Sequence, residues 1–248
     1  MADALGYRAK FGVIGPSTNT IVEPDYYMMA PPGVTLHYSR IYIADQNMGD
    51  DGQFERLMEQ IRASIEVAVR DVMTCEPTAI IMGMSSETFW GGKQGNLAFT
   101  HQLRTLAGGL PVTTGADACN QALRVFNARR LGIVTPYQPV GDNQVRTYFT
   151  ECGYDVVELH GLKCPTAVSI AHVQENDLRE AILQVNKQDV EAIVQCGTNL
   201  SMVRLADEAE RWLKKPVLAI NAATLWHALR SNGINDQVPG FGTLLRDY

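Results

Sequence analysis

Short apolar runs rich in Val and Ile alternate along the chain with longer stretches whose apolar positions recur every three or four residues. This is the alternation expected of parallel strands joined by crossover helices, so the predicted class is α/β. The predicted strands are Phe11 to Gly15, Val34 to Ile43, Ala79 to Gly83, Pro111 to Thr113, Leu131 to Thr135, Asp155 to Leu159, Ala192 to Cys196 and Pro216 to Ile220. The clearest helix is Phe54 to Met73, where Phe54, Leu57, Met58, Ile61, Ile65, Ala68 and Val69 follow helical spacing.

The pattern also repeats. FGVIGPSTN at 11–19 is matched by LGIVTPYQP at 131–139, AIIMGMSS at 79–86 by AIVQCGTN at 192–199, and LPVTTGADACNQALR at 110–124 by KPVLAINAATLWHALR at 215–230. Matches in one order predict a duplication into two pseudo-symmetric Rossmann-like halves, each a parallel sheet flanked by helices, joined near a helix Asp117 to Phe126. The last helix, from Asn221, is the counterpart of that joining helix and is expected to cross back. The first half is then residues 1–115 plus 221–248, and the second is residues 116–220. No Gly/Ser-rich linker separates them, so a shared interface with a cleft is expected. Ligands of such sheets sit beyond the carboxyl ends of the strands. The segments there are Pro16 to Asn19, Gly83 to Ser86, Pro136 to Tyr137 and Cys196 to Asn199.

Composition narrows the function classes. Charged residues make up 19% of the 248 and the net charge is -6, with no basic stripe for a phosphate backbone, so nucleic acid is not an expected partner. No apolar run has the length of a signal-peptide core or a membrane helix, which predicts a cytoplasmic protein without a membrane partner. The five cysteines have no C-x-x-C pair and are expected as free thiols. Histidines His37, His101, His160, His172 and His227 show no metal spacing, and Gly91-Gly92-Lys93 lacks the spacing of a Walker loop. Neither a metal nor a nucleotide is expected, and no cofactor is called for.

The strand ends carry the candidate chemistry. Cys196 precedes Gly-Thr-Asn and the helical run Leu200 to Leu213, which would set its thiol near a helix N-terminus, where an anion is favoured. Thr198 or Asn199 would cap that helix, and Gly197 would let the backbone approach a ligand. A lone cysteine at a strand end is more often a buried small hydrophobe. The matching turn, Gly83-Met84-Ser85-Ser86, offers hydroxyls and N–H groups for an oxyanion hole, or serine caps for a helix before Phe89. Tyr137 places a phenol beside the cleft, either as a donor to the same oxyanion or as packing. Asn19 reads as a carboxylate ligand or as a turn or cap residue. Arg40 reads as a reach toward an acidic substrate or, more readily, as a salt-bridged surface arginine, and Ile43 and Phe54 as parts of an apolar pocket.

These residues resemble the Asp/Glu racemase superfamily, in the branch of maleate cis-trans isomerases and arylmalonate decarboxylases. GPSTNTIVEPDY is similar to the isomerases' carboxylate-binding first turn, which implies that role for Asn19 with Pro16 beside it. VTPY resembles the shared tyrosine turn, carried onto Tyr137, and VQCGTNL the second cysteine turn, carried onto Cys196. The first cysteine of the pair is absent: MGMSSETFWGG has Gly83 there, as in the decarboxylases, and Met84 stands where those have a threonine.

A single thiol suits delivery of one proton to one face of a carbon. The resemblance therefore implies a cofactor-free enzyme that decarboxylates a malonate-like diacid. Ser85, Tyr137 and the backbone near Gly83 and Gly197 would hold one carboxylate, with Met84, Ser86 and Thr198 lining the site. Cys196 would protonate the enediolate. The alternatives are maleate-type isomerisation and a non-catalytic protein that binds small mono- or dicarboxylates. Self-association into a homo-oligomer is left open.

Overall fold

The first half is built on β1 (Ala9–Pro16), which lies between β2 (Val34–Ile41) and β3 (Ala79–Met82), with β4 (Val112–Thr113) beyond β3. In the second half β5 (Arg130–Thr135) lies between β6 (Asp155–Gly161) and β7 (Ala192–Gln195), with β8 (Val217–Ala219) beyond β7. All pairings are parallel, and the orders β2-β1-β3-β4 and β6-β5-β7-β8 are one topology used twice. The computed structural model from which this comes describes residues 3–248.

Helices fill the crossovers: α1 (Val22–Met29), α2 (Asp51–Met73), α3 (Ser86–Phe89), α4 (Gly92–Leu106), α5 (Gly115–Val125), α6 (Pro139–Glu151), α7 (Glu175–Val185) and α8 (Val203–Leu213). The chain ends with α9 (Ile220–Ser231) and α10 (Thr243–Asp247). Helix α2 begins before the apolar spacing does because the Asp50 side chain accepts the Gln53 N–H at 2.8 Å, satisfying one of the free donors of its first turn. Strand β2 stops at Ile41 rather than Ile43, since the Ile43 N–H leaves the ladder and donates to Ser17 Oγ at 3.1 Å.

Helix α8 starts at Val203, not at Leu200, and no side chain caps it. Thr198 and Asn199 do not serve as caps because their side chains are drawn across the cleft. Thr198 Oγ1 accepts from Asn19 Nδ2 at 3.1 Å and Asn199 Oδ1 from the Thr20 N–H at 3.0 Å. The residues after Cys196 form a turn, with the Leu200 N–H donating to the Gly197 carbonyl at 3.0 Å. The expected helix terminus beside the thiol is therefore absent.

Helix α5 packs on α9 at a point where Gly115 meets Ile220, and α9 also touches α1, β3 and β4. A Cβ on Gly115 would stand only 2.7 Å from Ile220 Cδ1, so the two helices need the glycine to approach this closely. On another side of the core, Phe89 of α3 packs on Tyr148 and Phe149 of α6, with ring centroids 5.3 and 5.7 Å away. These rings are buried, and their contacts tie the two halves directly.

Two loops that follow equivalent strands, one after β2 and one after β6, meet over the cleft. Asn47 and Thr166 form an antiparallel bridge, the Met48 N–H donates to the Pro165 carbonyl at 2.9 Å, and the Ala167 N–H donates to the Gln46 carbonyl at 2.8 Å. No helix among the described residues is long and apolar enough to cross a membrane.

Candidate active site

The carboxyl ends of β1, β3, β5 and β7 supply four turns around one cavity of about 450 Å³, part of it open to solvent. Of the predicted site residues, Pro16, Asn19, Ile43, Phe54, Met84, Ser85, Ser86, Tyr137, Gly197 and Thr198 line it. Cys196 and Gly83 do not; each is the residue immediately before a lining position. No histidine is among the lining residues.

In the first turn Asn19 takes the turn and capping role of the two that the sequence left open. Its Oδ1 accepts the Ile21 and Val22 N–H groups at 3.0 and 2.9 Å and so caps α1, while its Nδ2 reaches Thr198. Arg40 donates to the Asn19 carbonyl at 2.8 Å and is ion-paired with Glu23, the surface pairing expected of it.

The second turn is directed into the cleft. Ser85 Oγ lies 2.6 Å from the Tyr137 hydroxyl and accepts the Thr198 N–H at 3.2 Å, so it does not cap α3. Of the backbone near Gly83 that was expected to hold a carboxylate, the Gly83 N–H itself donates to the Ile14 carbonyl at 2.7 Å and is committed to the sheet. Gly83 has little room for a side chain, because a Cβ there would lie 3.0 Å from Val13 Cγ1 and 3.3 Å from the Ile14 carbonyl oxygen.

Tyr137 is steered from both ends. Its N–H donates to Thr135 Oγ1 at 3.2 Å, Thr135 is hydrogen-bonded to Asp142, and its ring packs on Phe54 at 5.5 Å. Burial raises the Tyr137 phenol well above its usual value, against the opposing effect of Ser85, which keeps it a neutral hydroxyl. Gly197 is needed where it stands, since a Cβ would come within 2.7 Å of Pro136 Cδ.

Cys196 is fully buried, and its N–H donates to the Val134 carbonyl at 2.8 Å. Burial pushes its thiol far above the ordinary cysteine range, and Cys119 and Asp142 act in the same direction. The group is therefore a neutral S–H. All five cysteines are unpaired.

Met48, Leu57, Ile61, Ala167 and Ile170 also line the cavity and were not singled out from the sequence. Leu57 and Ile61 carried a signal, for they extend the Phe54 face of α2. Met48, Ala167 and Ile170 lie on or beside the two bridged loops, whose meeting has no local signature.

Two parallel-sheet halves of one topology, joined over a tyrosine turn and a cysteine turn, define the Asp/Glu racemase superfamily in its maleate isomerase and arylmalonate decarboxylase branch. A model of the arylmalonate decarboxylase family matches residues 11–245, and the chain belongs to that family. It is 26% identical over 245 residues to a maleate isomerase of Pseudomonas putida, covering 95% of this chain and 96% of the relative. An arylmalonate decarboxylase of Bordetella bronchiseptica is 23% identical over 235 residues, covering 92% and 96%. Among solved structures, a Nocardia farcinica maleate cis-trans isomerase, a cysteine-to-serine mutant with a covalently bound succinylcysteine intermediate, shares the fold with a TM-score of 0.87. Its identity to this chain is 23%, over 96% of this chain and 98% of that one.

Proposed function

We propose that the protein is a cofactor-independent lyase that decarboxylates a malonate-like diacid carrying an apolar substituent, with Cys196 protonating the intermediate. The observation that carries this reading is the division of the cavity wall. The strand-end turns supply the polar atoms of Asn19, Ser85, Tyr137 and Thr198, whereas α2 and the bridged loops supply Phe54, Leu57, Ile61, Met48 and Ile170. No lining residue among those described is charged.

In this reading one carboxylate enters the polar side and replaces the Ser85–Tyr137 contact, and the Cys196 thiol, on the residue before the lining Gly197, reaches the substrate once the ligand is bound. The other carboxylate lies against the apolar wall. There the C–C bond breaks, CO2 leaves, and the electron pair passes into an enediolate whose charge grows on the oxygens facing the hydroxyls. Donors placed where charge develops contribute roughly 3 kcal/mol each. The Cys196 proton goes to the α-carbon, and the resulting thiolate regains a proton from water. A neutral thiol fits this role, whereas nucleophilic addition would require the thiolate that burial disfavours.

Maleate-type isomerisation is the second reading. It is favoured by the sequence relation to maleate isomerases and by the paired Asn19 and Asn199 turns facing each other. Aryl- and alkyl-substituted malonates followed by CO2 release, and maleate followed by fumarate formation, separate the two. Turnover of maleate alone overturns the decarboxylase reading, and silence in both arms favours a carboxylate-binding protein. The unpaired cysteines support a reducing, cytoplasmic setting.

A further inference from the structure

Thr198 is held at each of its polar atoms by a different element. Its N–H donates to Ser85 after β3, its Oγ1 accepts from Asn19 after β1, and its carbonyl accepts from Asn221 Nδ2 of α9 at 3.0 Å. The same Asn221 amide nitrogen donates its second hydrogen to Asp25 Oδ2 of α1 at 2.8 Å. Asp25 and Asn221 are 2% and 1% exposed, so neither interaction is shared with bulk water.

A buried carboxyl without a hydrogen-bonded cation is a costly group to keep for stability. Burial raises its pKa to about 7, opposed by the Asn221 hydrogen bond and the more distant charge of Arg204. In the structure Asp25 accepts from, and so helps to orient, the Asn221 amide. An asparagine amide can turn end for end, and only with Nδ2 toward both acceptors does it grip the Thr198 carbonyl. Asn221 Oδ1 has no partner among the described residues, so the two acceptors of Nδ2, the Thr198 carbonyl and Asp25 Oδ2, together favour this orientation, and Asp25 is the one that lies outside the turn.

We propose that Asp25 is a positioning residue for the carboxylate-binding turn, acting through Asn221 on the Thr198 peptide and so on the N–H that Thr198 directs at Ser85. This rests on the reading that the Ser85–Thr198 turn holds the ligand's carboxylate. It adds a second layer to the site, supplied by α1 and by the final long helix.

The test compares Asp25→Asn, which keeps an acceptor for Asn221, with Asp25→Leu, which removes it. The backbone amide resonance of Thr198 in ¹⁵N-labelled protein is followed in both, together with calorimetric affinity for malonate. Asp25→Asn should keep both close to wild type. Asp25→Leu should shift the Thr198 resonance and weaken malonate roughly tenfold, the worth of one hydrogen bond, without lowering the melting temperature. If Asp25→Leu does not fold, Asn221→Ala carries the same expectation. Wild-type behaviour of the acceptor-less variant, or equal loss in Asp25→Asn, overturns the proposal. A wild type that binds no malonate overturns the underlying site reading instead, while the resonance comparison still decides the Asp25–Asn221–Thr198 relay.

Discussion

The hydroxyls of Ser85 and Tyr137 stand 2.6 Å apart although they come from opposite halves of the chain. The contact exists because the turns after β3 and β5 end at the same cleft, and because Thr135 and Phe54 fix the tyrosine from below and from the side. Two hydroxyls this close satisfy each other until a ligand oxygen replaces the contact. Ser85→Ala and Tyr137→Phe should each lower kcat by about 10²- to 10³-fold with a smaller change in KM. Combined, they should cost less than the product of the single losses. Steady-state kinetics on the best malonate checks this, and strict additivity would mean that the pair does not act on one oxygen.

Cys196→Ala should remove turnover by about 10²- to 10⁴-fold, the range for loss of a general acid, while malonate binding persists. Activity and calorimetry on the same preparation separate chemistry from folding. Turnover close to wild type would remove the thiol from the mechanism.

Gly83→Cys tests whether a second thiol fits. Its Cβ would meet Val13 Cγ1 at 3.0 Å and the Ile14 carbonyl at 3.3 Å, so the variant should lose about 1–3 kcal/mol of stability as an overpacked site. Adding Val13→Ala should restore part of that loss, because it removes the nearest atom. Denaturant midpoints of the single and double variants give the answer.

Stability should also depend on pH through Asp25. Its pKa is raised from 3.8 to about 7, so the folded state holds the proton more tightly than the unfolded chain does. That contribution is fully present below pH 3.8 and is lost as pH rises to about 7. Asp25→Asn does not titrate and should gain on wild type by a few kcal/mol between pH 5 and pH 8, measured by urea unfolding at each pH.

The eight strands and the duplication were legible because both leave local or repeated marks. Apolar runs mark strands, and GPSTN against TPYQP marks equivalent turns. The positions of Asn19, Ser85, Tyr137 and Thr198 followed from those turns. The start of α8 did not, because Thr198 and Asn199 look like caps until their cross-cleft partners are known. That the Gly83 N–H is taken up by the sheet was hidden for a similar reason: its acceptor, Ile14, is on another strand. The Asp25–Asn221 pair joins residues 196 positions apart, a separation across which spacing carries no information. The bridged loops were equally hidden, although the repeat placed both after equivalent strands.

One thiol in a doubled shell has a stereochemical consequence. The two halves repeat one strand order around the cleft, but a cysteine follows β7 where a crowded glycine follows β3. The shell is close to two-fold, and the proposed proton donor is not. If the proposed decarboxylation holds, a prochiral enediolate between the halves is expected to take its hydrogen from the Cys196 side, and chiral analysis of the product should then find one enantiomer in excess.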